Sequence, residues 1–79
     1  MTGELHFYRG FRRNVIAEME SRDWTNAALA RRAGLHRGRV DEFTSGRRDT
    51  VGLYTAVRLA SALGIEIGEL VHGKKARSE

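Results

Sequence analysis

Residues 25–46 read TNAALARRAGLHRGRVDEFTSG. Four arginines and two glycines fall within residues 29–40, a composition that suits either an unfolded Arg/Gly segment or a folded element that bends at a glycine. The apolar spacing favours the folded element. Thr25 is a good N-cap, and Ala27, Ala28, Leu29, Ala30 and Ala33 behind it carry a helix of about nine residues. Gly34 fits the position just past the end of that helix, where a positive φ is usual. Beyond it, Leu35, Val40 and Phe43 share one side of a second helix of similar length, which Gly46 closes. Two helices joined by so short a turn cross steeply. Ala30 supplies the small side chain that the crossing point needs, and Gly34 tolerates the left-handed turn. Leu29, Val40 and Phe43 then pin the second helix to a core. Its other side, with His36, Arg37, Arg39 and Glu42, must face outward.

The flanking sequence completes an all-α domain. Upstream, Tyr8, Phe11, Val15, Ile16 and Met19 fall at helical spacing along one face. That helix should fade near Arg22 and Asp23, leaving Trp24 as a bulky packing residue at the hinge. Downstream, Thr50 or Gly52 caps a fourth helix with an expected buried face of Leu53, Ala56, Val57, Ala60 and Leu63. Gly64 ends it, and Ile65, Ile67, Leu70 and Val71 suggest a short fifth helix. LHFY at residues 5–8 is the one stretch with some strand character. The expected organisation is an N-terminal arm at residues 1–7, a compact five-helix domain at 8–72 and a mobile tail at 73–79.

Composition narrows the function. Seventy-nine residues make one small domain, and the absence of cysteine removes disulfides and thiolate zinc sites. No apolar run approaches a membrane span, and the N-terminus lacks a signal peptide's apolar core. A cytoplasmic protein is the expectation. The chain carries a formal net charge of +4, and twelve of its 14 basic residues are arginine, the side chain suited to forked contacts with phosphate and guanine. Residues 24–48 hold six arginines against Asp41 and Glu42, whereas residues 50–73 hold Arg58 against Glu66 and Glu69. The positive field therefore centres on the opening stretch. No nucleotide-cradling glycine motif, cysteine nucleophile or triad spacing is present, so no enzyme is expected. Glu66, Glu69 and His72 lack a fourth ligand nearby and read as an ordinary helix end; no metal or cofactor is expected.

At this point the chain resembles the Cro/CI-type helix-turn-helix domains of phage repressors and bacterial regulators. The resemblance runs through TNAALARRAGLHRGRVDEFTSGRR and continues into LYTAVRLASALGIEIGEL, covering about residues 11–71. It implies a bundle of the lambda-repressor-like type, with helices 2 and 3 forming the helix-turn-helix. It further implies a small transcriptional regulator, a repressor, whose third helix, about residues 36–45, enters the major groove of double-stranded DNA. Carried over by position, His36, Arg37, Arg39 and Glu42 would contact bases. Thr25, Asn26, Gly38, Arg47 and Arg48 would contact the backbone, Asn26 by an amide on phosphate. Relatives often pair a helix 1 arginine with a glutamate near the end of helix 3. Met19 and Thr44 stand at those positions here, so an apolar or neutral contact should replace the ion pair.

Chemistry assigns these positions different work. Arg37 and Arg39 can fork onto guanine, Glu42 can accept from cytosine or orient an arginine, and Gly38 contributes no side chain. A G·C-containing half-site is the expectation. One such helix reads half a site, so a homodimer on a pseudo-palindrome would place two reading helices about 34 Å apart. Residues 65–71 and the aromatic segment at residues 5–11 are the candidate dimer surfaces. Arg31 and Arg32 read as a solvated face of helix 2. The alternative function is a protein-binding adaptor or antitoxin-like component, favoured by acidic Asp41 and Glu42, silent Gly38 and the N-terminal aromatics.

Overall fold

The structure, a computed structural model, describes the backbone of residues 2–47 and 50–72, and side chains from Tyr8 onward within those spans. Five helices follow one another: α1 Thr2–Ser21, α2 Asn26–Ala33, α3 Arg37–Ser45, α4 Leu53–Leu63 and α5 Ile67–His72. Among the described residues there is no strand. The LHFY segment lies inside α1, and that helix begins at Thr2, not at Tyr8. The apolar stripe begins at Tyr8, but each further residue added to a helix gains a hydrogen bond, and no proline interrupts the chain upstream.

The bundle closes around Phe11, Val15, Leu29, Val40, Leu59 and Leu70, all fully buried. Phe43 of α3 meets Tyr8 and Phe11 of α1 edge-on, with ring centroids 6.3 and 5.8 Å apart. Short α5 is held against α1 by a missing side chain and an amide. A Cβ on Gly10 would lie 3.0 Å from the Val71 carbonyl oxygen, so glycine permits the close approach. Asn14 donates from Nδ2 to the Leu70 carbonyl, satisfying one of the orphan acceptors at the end of α5.

α1 stops where the sequence implies. Asp23 adopts φ +58°, and the Trp24 amide folds back onto the Met19 carbonyl at 2.9 Å. Trp24 packs against the core, with Arg22 and Arg32 guanidiniums 5.5 and 4.5 Å from its ring. Thr25 then caps α2, its Oγ1 accepting from the Ala28 amide at 3.1 Å.

α4 corrects the expected buried face. Thr55, Ala56, Leu59, Ala60 and Leu63 are buried, whereas Leu53 is 77% and Val57 46% exposed. The buried arc centres on Leu59 and Leu63 and takes in Thr55 on its far side. Leu53 and Val57 therefore fall on the flank turned away from the core. Helical spacing alone fits both flanks.

The turn between α2 and α3 rests on Gly34, at φ +71°. Amides fold back on the last turn of α2, with Leu35 N donating to the Ala30 carbonyl at 2.9 Å. Arg58 of α4 donates from Nε to the Ala33 carbonyl at 2.8 Å. Its guanidinium lies directly over Gly34, in the space a Cβ would need. Gly34→Ala is therefore expected to destabilise the domain by about 1–2 kcal/mol from the left-handed backbone alone, with displacement of Arg58 adding to it. Gly38 sits in open space inside α3, and Gly38→Ala should stabilise the domain by about 0.5–1 kcal/mol. Thermal melts separate the two directions, at roughly 4–8 °C per kcal/mol for a domain of this size.

Candidate nucleic-acid interface

α3 is anchored by Val40 and Phe43, which are 1% and 4% exposed. Their burial fixes the rotation of the helix. His36, Arg37, Gly38 and Arg39 then stand exposed together at its N-terminal end, and Asp41, Glu42 and Thr44 are half-buried along its sides. His36 occupies the N-cap without a side-chain cap bond. A helix N-terminus carries partial positive charge, and its first amides lack intrahelical acceptors. The exposed end of α3 thus adds backbone donors to the arginine charges.

Two side chains from other helices set the register of α3. Asn26, the first residue of α2, donates from Nδ2 to Asp41 Oδ1 at 2.8 Å and to Thr44 Oγ1 at 3.1 Å. In the free protein this amide is therefore turned inward and bridges the two helices. Asp41 Oδ1 also lies 3.7 Å from Arg37 Nε. Asp41 is an internal buttress between α2 and α3, and its negative charge is answered by the chain's own groups. Arg37 keeps 67% of its side-chain area exposed, so this loose i,i+4 contact leaves it able to reach outward.

The far end of α3 is held from α1. Arg12 donates from Nη1 to the Thr44 carbonyl at 3.2 Å, and its guanidinium packs over Gly46, which lies at φ +76°. A cation on the final carbonyls of a helix is favoured both as a hydrogen bond and against the helix dipole. Met19, at the position where relatives carry the arginine, is buried in the core at 5% exposed. An arginine of α1 thus still grips the end of α3, but from position 12 and onto backbone. Neither Arg12 nor Arg58 carries a local sequence signal for these roles. Their partners lie 32 and 25 residues away. The pairing of Arg37 with Asp41, four residues apart on one helix, was open to sequence reading.

The remaining candidate positions are arranged around this frame. Thr25 is exposed beside the start of α2, with its Oγ1 already accepting from Ala28. Arg47 follows Gly46 on the surface and donates from Nε to Ser45 Oγ at 3.2 Å, which steadies it near the end of α3. Arg48 lies outside the described residues. Arg39 and Glu42 line a cleft of about 240 Å³ whose opposite wall is Thr50, Val51, Gly52 and Thr55 at the start of α4. Arg31 and Arg32 are exposed on α2, and Arg32 is stacked on Trp24. Among the described residues, no group of three or more His, Cys, Asp or Glu side chains could hold a metal ion. None of the described helices is long and apolar enough to cross a membrane.

Comparison with known proteins agrees with this geometry. The model of the Cro/C1-type HTH DNA-binding domain family matches residues 14–74. No curated protein and no solved structure matches the chain. The matched span contains the whole α2–turn–α3 unit and α4 and α5, and a shared family over that much of the chain carries the general function with it. The chain belongs to the Cro/C1-type helix-turn-helix DNA-binding domains, and it binds DNA as part of a regulator.

Proposed function

We propose that the chain is a sequence-specific repressor that inserts the N-terminal end of α3 into the major groove of double-stranded DNA. The observation that carries this reading is the exposed cluster of His36, Arg37, Gly38 and Arg39 on a helix whose inner face and far end are fixed. Affinity for phosphate alone needs charge; choice among sequences also needs side chains held in a defined register. Arg37 and Arg39 fork onto guanines, His36 contacts a base edge at the entry of the helix, and Glu42 accepts from a cytosine amino group or orients Arg39 beside it on the α3 wall of the cleft. Thr25, the start of α2 at Asn26, Arg47 and Arg48 hold the flanking phosphates. Gly38 exposes main chain where a Cβ would otherwise stand, allowing the helix to approach the duplex closely. Two copies bind a pseudo-palindrome, one half-site each, in the cytoplasm of a bacterial cell.

A second reading, an adaptor or antitoxin-like protein, draws support from the exposed apolar residues of α4. Of the N-terminal aromatics expected to favour it, Tyr8 and Phe11 are core residues, and the side chain of Phe7 lies outside the described residues.

In vitro selection of DNA sites with the purified protein tests the first reading, and an enriched inverted repeat containing G·C pairs is the expected result. Equal affinity for every sequence at all salt concentrations would sink it. On the selected site, Arg37→Ala should cost about 1–3 kcal/mol and relax preference at one base pair. Arg47→Ala should weaken all sequences alike and reduce the slope of log K against log salt by about 0.9. Gly38→Ala should weaken DNA binding although it stabilises the fold; unchanged affinity would remove the close-approach role.

A further inference from the structure

Asn26, Asp41 and Arg37 form a chain of contacts from the start of α2 to the exposed end of α3. The Asn26 amide donates to Asp41 Oδ1 at 2.8 Å, and Arg37 Nε lies 3.7 Å from the same oxygen. We propose that Asp41 is a positioning residue for base reading, which fixes the direction of Arg37 once a phosphate has drawn the Asn26 amide away. The inference rests on the reading of α3 proposed above.

Donor accounting makes an exchange necessary. A carboxamide nitrogen carries two N–H donors. In the free protein Asn26 Nδ2 serves Asp41 Oδ1 and also Thr44 Oγ1, the latter at 3.1 Å. The Thr44 hydroxyl is directed at the Asp41 carbonyl, so its oxygen is left to accept. Both Asn26 donors are therefore committed, and its other polar atom, the side-chain carbonyl oxygen, is repelled by phosphate. Asn26 takes a phosphate by giving up one of the two bonds. The bond to Asp41 is the replaceable one, because a cation already stands beside that carboxylate.

Arg37 gains what Asn26 releases. Its present contact with Asp41 is too long for a hydrogen bond, and 67% of its side-chain area is exposed. An exposed pair of this kind contributes little to stability, so the free protein leaves the guanidinium loosely held. When the amide departs, Asp41 Oδ1 is available to Arg37 Nε alone. A guanidinium held at Nε keeps both Nη groups free to fork onto O6 and N7 of guanine. Holding the rotamer in place also reduces the entropy lost on contact.

Two steps thereby become one. Seating the start of α2 on phosphate and aiming Arg37 at a base share a single carboxylate. A protein out of register on the duplex keeps Asn26 on Asp41 and its arginine loose. The negative charge of Asp41, unfavourable for affinity, serves the choice among sequences.

Asp41→Asn separates these roles, because an amide oxygen still accepts from Asn26 while the charge facing Arg37 is gone. On the selected site, the parent should prefer guanine at the position read by Arg37 by roughly 5- to 150-fold, the equivalent of one forked contact. Asp41→Asn should lower that preference by about 5-fold or more. A variant that binds every sequence more tightly and keeps the preference would show Asp41 to be a repulsive charge alone, and overturns the proposal. Asn26→Ala keeps the test decisive should Asp41→Asn fail to fold. It should weaken binding to all sequences alike and retain the preference for guanine. Without DNA, it should slow hydrogen exchange at Arg37 Nε, read by NMR, because Asp41 is already released. Exchange at the parent rate, or loss of the guanine preference, overturns the relay. A parent whose base preference does not depend on Arg37 refutes the proposed reading of α3 and this inference together. An Arg37-dependent preference that survives Asp41→Asn refutes this inference alone.

Discussion

The hydrogen bond from Arg58 to the Ala33 carbonyl, made across the bare face of Gly34, is the constraint on which the helix-turn-helix depends. A helix ending inside a fold leaves carbonyls without partners, and each must be satisfied or solvated. Here the backbone amides of Gly34 and Leu35 take the Arg31 and Ala30 carbonyls, and α4 supplies a cation for Ala33. The left-handed turn and the arginine therefore require each other. The turn brings the carbonyl into reach, and the absence of a Cβ gives the guanidinium room to lie against it. The same arginine stacks on Tyr54, so one side chain ties the turn to the α4 surface.

α3 is held by a different division of labour. Its C-terminal end is gripped from α1 by Arg12 and from α2 by Asn26, and its inner face is locked by Val40 and Phe43. Its N-terminal end carries the loose Arg37–Asp41 contact, 3.7 Å long and largely exposed. The role proposed for α3 draws on this asymmetry. Rigid support at one end sets the direction of the helix, and the exposed arginines at the other end keep their rotamer freedom. The acidic pair at positions 41 and 42 looks unfavourable for DNA when read as composition. In the fold, Asp41 accepts from Asn26 and lies beside Arg37, which makes it part of the scaffold.

What the sequence made legible was local. Thr25, Gly34, Gly46 and Gly64 mark helix ends through backbone geometry that depends on neighbouring residues alone, and all four occupy the expected caps. The core of α2 and α3 was legible for a related reason, because Leu29, Val40 and Phe43 lie at fixed helical intervals. The flank of α4 was not. Leu53 and Val57 satisfy helical spacing, yet which side of a helix meets the core depends on where α1 and α2 lie. The guanidinium contacts of Arg12 and Arg58 were invisible because arginine is common here and nothing nearby in the chain distinguishes one from another. The inward turn of Asn26 was hidden for a similar reason. A polar residue at a helix start suits an outside ligand as well as an inside one, and only the position of Asp41 decides.

Exposure on α4 also has to be weighed against the size of the domain. A chain this short buries only about 60% of its unfolded surface, so apolar side chains are scarce resources for its core. Leaving a leucine, a tyrosine and a valine outside forgoes stabilisation of roughly 25 cal/mol per Å² of apolar area. Thr55 is buried in the same two turns, where a rotation of α4 would have placed an apolar residue instead. Such a rotation would also carry Arg58 away from Ala33 and release the turn that aims α3. The orientation of α4 therefore satisfies the turn before it satisfies the core, and the exposed face is the consequence. The exposure of Leu53 and Val57 is thus set by the same guanidinium contact that holds the turn before α3.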